Sequence, residues 1–162
     1  LLFPAHEIAK KLSKTRKSIT MDNESIENLL YTTYEDRYAF PILALLYPHL
    51  DFKNNDFNKD HVFPKSSFTS KNLKKAGIDL TQPNANYYTE GWCYNGIVNL
   101  QMLDSNENKS KSDKTFDEWA KTSKVNYGKQ ILPKITEFSR FIEFVDIRWE
   151  MLKTKLEQEL KF

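Results

Sequence analysis

Cysteine is almost missing from this chain: Cys93 stands alone among 162 residues, which excludes an internal disulfide and a Cys-based zinc ribbon. Such usage suits a reducing cytoplasm, and the thiol, flanked by Trp92 and Tyr94, reads as a packed small hydrophobe. Glycine is scarce as well. Four Gly and six Pro are too few for the many turns of an all-β design, and the wealth of Leu, Lys, Glu and Asn favours helix. No apolar run approaches the roughly 18 residues that cross a bilayer, so no membrane partner is expected. Nor does one sign of charge dominate. The 24 Lys and Arg against 22 Asp and Glu leave a formal charge of +2, too mild to announce nucleic acid and not opposed to it. The opening "LLFPAHEIAKKLSK" lacks a start Met and a signal peptide's basic start and small-residue cleavage site. The expectation is an excised part of a longer protein.

The length fits one domain, 1–162, with a real core. Ile8 and Leu12, four apart among lysines, predict a short helix, and the Asp22/Asn23 cap starts another through "ESIENLLYTTY" with Ile26, Leu29 and Leu30 inward. "AFPILALLYPHL" is apolar nearly all round and bracketed by Pro41 and Pro48, which predicts a buried helix and completes an N-terminal helical part over 1–50. Residues 57–63 predict a short strand, and "SSFTSKNLKKAG" a short helix stopped by Gly77. From 78 to 89 the chain is rich in Asn, Pro, Tyr and Thr, an irregular surface insert. "IVNLQML" predicts a second strand, entered through a tight Asn95-Gly96 turn. Asp104 with Glu107, and Thr115 with Glu118, resemble capping boxes, so two short helices follow. From Pro133 onward Ile135, Phe138, Ile142, Val145, Trp149, Leu152, Leu156 and Leu160 recur at three- and four-residue steps. That pattern predicts one long amphipathic helix packed over the domain's own core, with a coiled-coil dimer as the alternative.

Chemistry concentrates in "FNKDHVFPKSS", where an acid adjoins one of only three histidines. A lone Asp-His pair is usually a polar turn, and His6 and His49 read as helix-end or surface residues. Here, however, a strand bearing Asp60 and His61 is followed by a strand bearing Asn99 and a helix with Asn108 in its first turn. Neighbouring strand residues point to opposite faces, so Asp60 and His61 reach one site only where the strand ends or bends, and Pro64 supplies the stop. Asn108, Lys111 and Ser112 lie three and four apart and share a helix face, whose N-terminus favours phosphate. Lys65, Lys111 and Ser112 are candidates for phosphate contacts, although a lysine in such surroundings is more often a solvated charge. The aromatics of "NYYTEGWCYN" could stack on bases but more often pack over a core edge.

These residues resemble the HNH, or His-Me finger, nucleases. The likeness rests on "DHVFP" and on "NGIVNLQMLDSNENKSKS", in which Asn108 follows Asn99 by nine positions and Lys111 follows by three more. The RNA-guided CRISPR nuclease's HNH domain has a D-H-I-x-P opening and the same Asn-to-Asn spacing. More specific is the likeness to the C-terminal HNH domains of GmrSD-type modification-dependent restriction proteins, where D-H-x-x-P-K-S, N-G-x-x-N-L-Q and N-x-x-K-S run in that order. There, too, a long helix with an Arg near "FVDIRWEML" closes the domain. The likeness covers Phe57 to the C-terminus and is weaker before it.

The resemblance implies a mainly α domain with a small embedded ββα-metal motif, its core over 57–112 with an insert at about 65–95 and closing helices over 113–162. It implies His61 as general base, Asp60 and Asn108 as ligands of a divalent metal, and Asn99 as a brace of the connecting loop. A histidine near its ordinary pKa of about 6.5 can take a proton from water at neutral pH. A carboxylate with a carboxamide is a hard-oxygen pair suited to Mg²⁺ or Mn²⁺ rather than zinc. The partner implied is DNA, double-stranded, cut by a cytoplasmic prokaryotic restriction or anti-phage protein whose N-terminal recognition and NTPase region is not in this chain. RNA stays open as a substrate. Two departures stand out: 37 residues separate His61 from Asn99, far more than in a minimal motif, and Asn108 stands where several family members carry His. Alternatives are an inactive helical module that binds DNA or protein, and a metal-free dimerisation domain built on the last helix.

Overall fold

The computed structural model describes residues 21–160. The short helix expected around Ile8 and Leu12, and His6, lie outside the described residues. The described chain is mainly helical with one two-stranded antiparallel sheet, and none of its helices is long and apolar enough to cross a membrane.

Helix α1, Asn23–Leu30, begins where Asp22 accepts a hydrogen bond from the Ser25 N–H at 2.8 Å. Helix α2, Ala39–Leu46, carries Pro41 in its first turn and ends ahead of Pro48. Its burial is one-sided: Ala39, Ile42, Leu43 and Leu46 are enclosed, whereas Phe40 and Leu45 remain 38% and 41% exposed. The all-round burial expected here is corrected, because α2 lies at the edge of the domain with only one face against the core.

Strand β1, Phe57–His61, pairs with β2, Leu100–Asp104, so that Asp60 faces Gln101 and His61 faces Leu100. The strand expected to reach residue 63 stops at His61, although the Val62 N–H still donates to the Asn99 carbonyl at 2.8 Å. Asn99 itself lies in a 3₁₀ turn, Ile97–Asn99, just before β2 rather than within it. That turn follows Gly96, where an added Cβ would stand 2.0 Å from the Trp92 carbonyl oxygen. Between the strands run a 3₁₀ turn at Lys65–Phe68, helix α3 (Ser70–Lys75, stopped at Gly77 with φ +72°) and the short α4 (Gly91–Tyr94). The insert is not wholly superficial, since Ala85 and Tyr88 are buried.

Helices α5, Ser105–Lys111, and α6, Phe116–Thr122, both start with complete capping boxes, at Asp104/Glu107 and Thr115/Glu118. Helix α7 spans Phe141–Leu160 and does not begin at Pro133. The preceding segment is held by other bonds, from the Leu132 N–H to the Tyr127 carbonyl at 2.8 Å and from the Thr136 hydroxyl to Asp117 at 3.0 Å. Ile135 is therefore buried outside the helix, and the inward stripe of α7 is Phe141, Phe144, Val145, Arg148, Leu152 and Leu156.

The period-2 alternation of β2 sends Leu100 and Met102 into one core cluster with Ile26, Leu43 and Leu156, and Leu103 into another with Phe63, Phe116 and Phe144. Helix α7 runs along both clusters. Arg148, fully buried, ties it to the sheet: its guanidinium donates to the carbonyls of Val98 (2.9 Å), Leu100 (2.7 Å) and Ile131 (3.1 Å), and to the Tyr47 hydroxyl (3.3 Å). The inward stripe of α7 is thus used by the domain itself.

Candidate functional site

Asp60 and His61 stand at the last two positions of β1 and, as alternation demands, meet different surroundings. The Asp60 Oδ2 accepts from Lys111 Nζ at 2.8 Å and from Gln101 Nε2 at 3.1 Å, the latter being its partner across the hairpin. Lys111 Nζ also donates to the His61 carbonyl oxygen at 2.5 Å. With a side chain only 1% exposed and its ammonium 5.9 Å from the Trp119 ring centroid, Lys111 is an interior residue of this site. It is not the surface phosphate contact expected, because its stem runs inward from α5 and its charge is met at the end of β1. Breaking such a buried pair from one side costs roughly 3–5 kcal/mol.

The His61 imidazole lies on the other side. Its Nε2 is 2.9 Å from Asn95 Oδ1, and its ring stacks on Tyr34 with centroids 5.1 Å apart and planes 17° from parallel. Asn95 Nδ2 in turn donates to Glu35 Oε2 at 2.6 Å, and Lys65 pairs with Glu35 Oε1 at 3.1 Å. Burial pushes the imidazole pKa below the ordinary histidine value, while the Asn95 bond and the Asp60 charge pull it partly back. At neutral pH the ring is therefore mostly uncharged and able to accept a proton. Lys65 is exposed and already has a carboxylate partner.

Asn99 holds the point where β1 ends. Its carboxamide accepts from the Phe63 N–H at 3.0 Å and donates to the carbonyls of Phe63 (2.9 Å) and Tyr94 (2.7 Å). A side chain here takes over the ladder that the backbone abandons at Pro64. Asn99→Ala is expected to lower stability by about 3 kcal/mol, because two buried backbone groups of Phe63 and the half-buried Tyr94 carbonyl lose their partner. A urea titration that left the midpoint unchanged would contradict this.

Asn108 sits on α5 one turn before Lys111 and is half-buried, and among the described residues its carboxamide has no hydrogen-bond partner. Ser112 is exposed and leaves the helix with φ +43°, so it does not continue the Asn108 and Lys111 face. Among the described residues no three His, Cys, Asp or Glu side chains converge. A metal here would rest on Asp60 and Asn108 with water completing its shell. The carboxylate half fits that demand: Lys111 and Gln101 hold Asp60 through Oδ2, and no partner among the described residues takes Oδ1. A hard cation that keeps most of its waters needs no more than one such oxygen from each ligand.

Tyr34 and Glu35 escaped the sequence reading, and Asn95 and Gln101 stood inside the N-G-x-x-N-L-Q motif without a role at the site. Gln101 was accessible, since placing Asp60 on one strand and "NLQML" on the next sets it opposite. Glu35 lies 60 positions from Asn95 and carries no local signal. In the aromatic loop, Trp92 packs edge-on against Tyr31 and Trp149 in a cleft rimmed by Asp146 and Glu150, a poor platform for a polyanion. Cys93 is buried in the core, and burial pushes its thiol up to about 12, far from nucleophilic use.

No protein-family model matches this chain, and no curated protein matches it.

Proposed function

We propose that this chain is an HNH-type, metal-dependent DNA endonuclease built on a ββα-metal motif of β1, β2 and α5. The observation that carries the reading is the end of β1. There a mostly neutral, hydrogen-bonded His61 adjoins a carboxylate, Asp60, that has one oxygen committed inside the protein and one uncommitted. His61 takes the proton of the attacking water and holds it on the imidazole. Asp60 and Asn108 would hold Mg²⁺ or Mn²⁺, which when bound supplies charge stabilisation at the phosphate and the leaving oxygen. Lys111 and Gln101 orient Asp60, and Asn99 fixes the loop between the strands.

The partner is DNA, double-stranded, with one strand cut per engagement. Lys71, Lys74 and Lys75 on α3, immediately after the site, are exposed and have no ion-pair partner among the described residues, which suits phosphate contact. Setting the domain in a cytoplasmic prokaryotic restriction or anti-phage protein, beside a recognition and NTPase region on the same polypeptide, rests on the order of its D-H-x-x-P-K-S, N-G-x-x-N-L-Q and N-x-x-K-S motifs.

Water attack with a departing 3′ oxygen leaves a 5′-phosphate and a 3′-hydroxyl. Nicks made by the purified chain in Mg²⁺ are therefore expected to be closed by DNA ligase without end repair. Ends that ligase closes only after removal of a 3′-phosphate would contradict the proposed chemistry.

A further inference from the structure

From the hydrogen bonds around His61 we infer that Asn95 and Glu35 are positioning residues, which fix the tautomer and the ring plane of the base. The inference rests on the nuclease reading for its purpose and on geometry for its content. A carboxamide can face a carboxylate only through its NH₂, so the 2.6 Å contact between Asn95 Nδ2 and Glu35 Oε2 fixes which way the Asn95 amide points. Its oxygen is then the atom 2.9 Å from His61 Nε2. Oxygen only accepts here, so Nε2 carries the hydrogen and Nδ1 carries the free lone pair.

Each member of this chain is itself held. Asn95 is 7% exposed, at the C-terminal end of α4, and its backbone carbonyl accepts from the Tyr34 N–H at 2.8 Å. Tyr34 is the ring stacked on His61, so one short segment, Tyr34 and Glu35, controls both the plane of the imidazole and the direction of the amide that binds it. Lys65 pairs with the second oxygen of Glu35, which leaves Oε2 for Asn95. The part of Asn95 resembles that of a ligand-orienting residue behind a metal-bound histidine, where substitution typically lowers activity by about 10–100-fold.

Glu35 and Lys65 are largely exposed, with side chains 61% and 52% accessible, so Glu35 acts through direction more than through charge. Truncating Glu35 should therefore cost less than truncating Asn95. Asn95→Asp alone would set two carboxylates at hydrogen-bond distance and undo the arrangement. Asn95→Asp combined with Glu35→Gln would restore an acceptor toward His61 and a donor toward residue 95.

The experiment reads the imidazole nitrogens directly, by long-range ¹⁵N–¹H correlation in the metal-free protein above pH 8, with His61→Gln assigning the signals and the amide spectrum checking the fold. The expected result is a single Nε2–H tautomer in the wild type, a mixture containing Nδ1–H in Asn95→Ala, and return to one tautomer in the Asn95→Asp/Glu35→Gln double variant. A wild-type ring protonated on Nδ1, or a tautomer ratio unchanged in Asn95→Ala, overturns the inference. In plasmid nicking, Asn95→Ala should lose about 10–100-fold in kcat with KM within about twofold, and the double variant should recover most of it. If the wild type does not nick at all, the nuclease reading fails while the tautomer measurement still decides the role of Asn95.

Discussion

Replacing Arg148 with Met is expected to lower the melting temperature by roughly 6–12 °C, corresponding to about 3 kcal/mol for a domain of this size. The guanidinium is fully buried and, among the described residues, faces no carboxylate; its partners are three backbone carbonyls and the Tyr47 hydroxyl. Burial pushes its pKa below the ordinary arginine value, with Tyr47 pulling the other way. Met fills much of the stem's volume but strands the oxygens of Val98, Leu100 and Ile131 at the crossing of α7 and β2. Each buried acceptor left without a donor costs on the order of 1–3 kcal/mol, partly offset by no longer having to desolvate a cation. Arg148→Lys should recover little, because one ammonium cannot reach sites spread over Val98, Leu100 and Ile131. Thermal melts followed by circular dichroism decide this; a Met variant melting with the wild type would mean that the carbonyls find other donors.

Asp60 holds Lys111 in the fold and is proposed to hold the metal, and a pair of variants separates the two. Asp60→Ala is expected to destabilise the fold by roughly 3–5 kcal/mol, because it leaves the Lys111 ammonium enclosed without its counter-charge. The same change removes the carboxylate proposed to hold the metal, so nicking should vanish for two reasons at once. Adding Lys111→Met replaces the stranded cation with an apolar chain of similar length beside Trp119. The double variant should regain most of the lost stability, since apolar replacement of a buried ion pair is often neutral or better, yet remain without detectable cleavage. Recovery of cleavage together with stability would show that Asp60 serves the fold alone.

Much of the scaffold could be read from short-range signals. Both capping boxes, at Asp104/Glu107 and Thr115/Glu118, and the Asp22 cap are local hydrogen-bond grammar, and the helices start where those residues place them. The stop after Lys75 is likewise written in Gly77. The late start of α7 was hidden because Ile135 and Phe138 keep helical spacing while the segment around them is held elsewhere, by the Leu132 N–H on the Tyr127 carbonyl and the Thr136 hydroxyl on the Asp117 carboxylate. Arg148 reads as an exposed charge by composition, and nothing nearby in the chain announces its acceptors. At the site, Asp60, His61, Asn99 and Asn108 were legible as residues in order. What each touches was not. Lys111 turned inward to a strand 50 positions earlier, and Glu35 reached Asn95 across 60. Contacts of that range are made by the fold as a whole.

The most direct measurement is conversion of supercoiled plasmid by the purified chain in Mg²⁺ or Mn²⁺, beside a His61→Ala variant whose fold is verified by its thermal melt. Removing a general base typically costs about 10²–10⁴-fold. The predicted result is open-circle product that needs the metal, disappears with EDTA, and falls by at least that lower factor in His61→Ala. Equal cutting by both proteins, or cutting indifferent to EDTA, would contradict a metal-dependent site with His61 as its base.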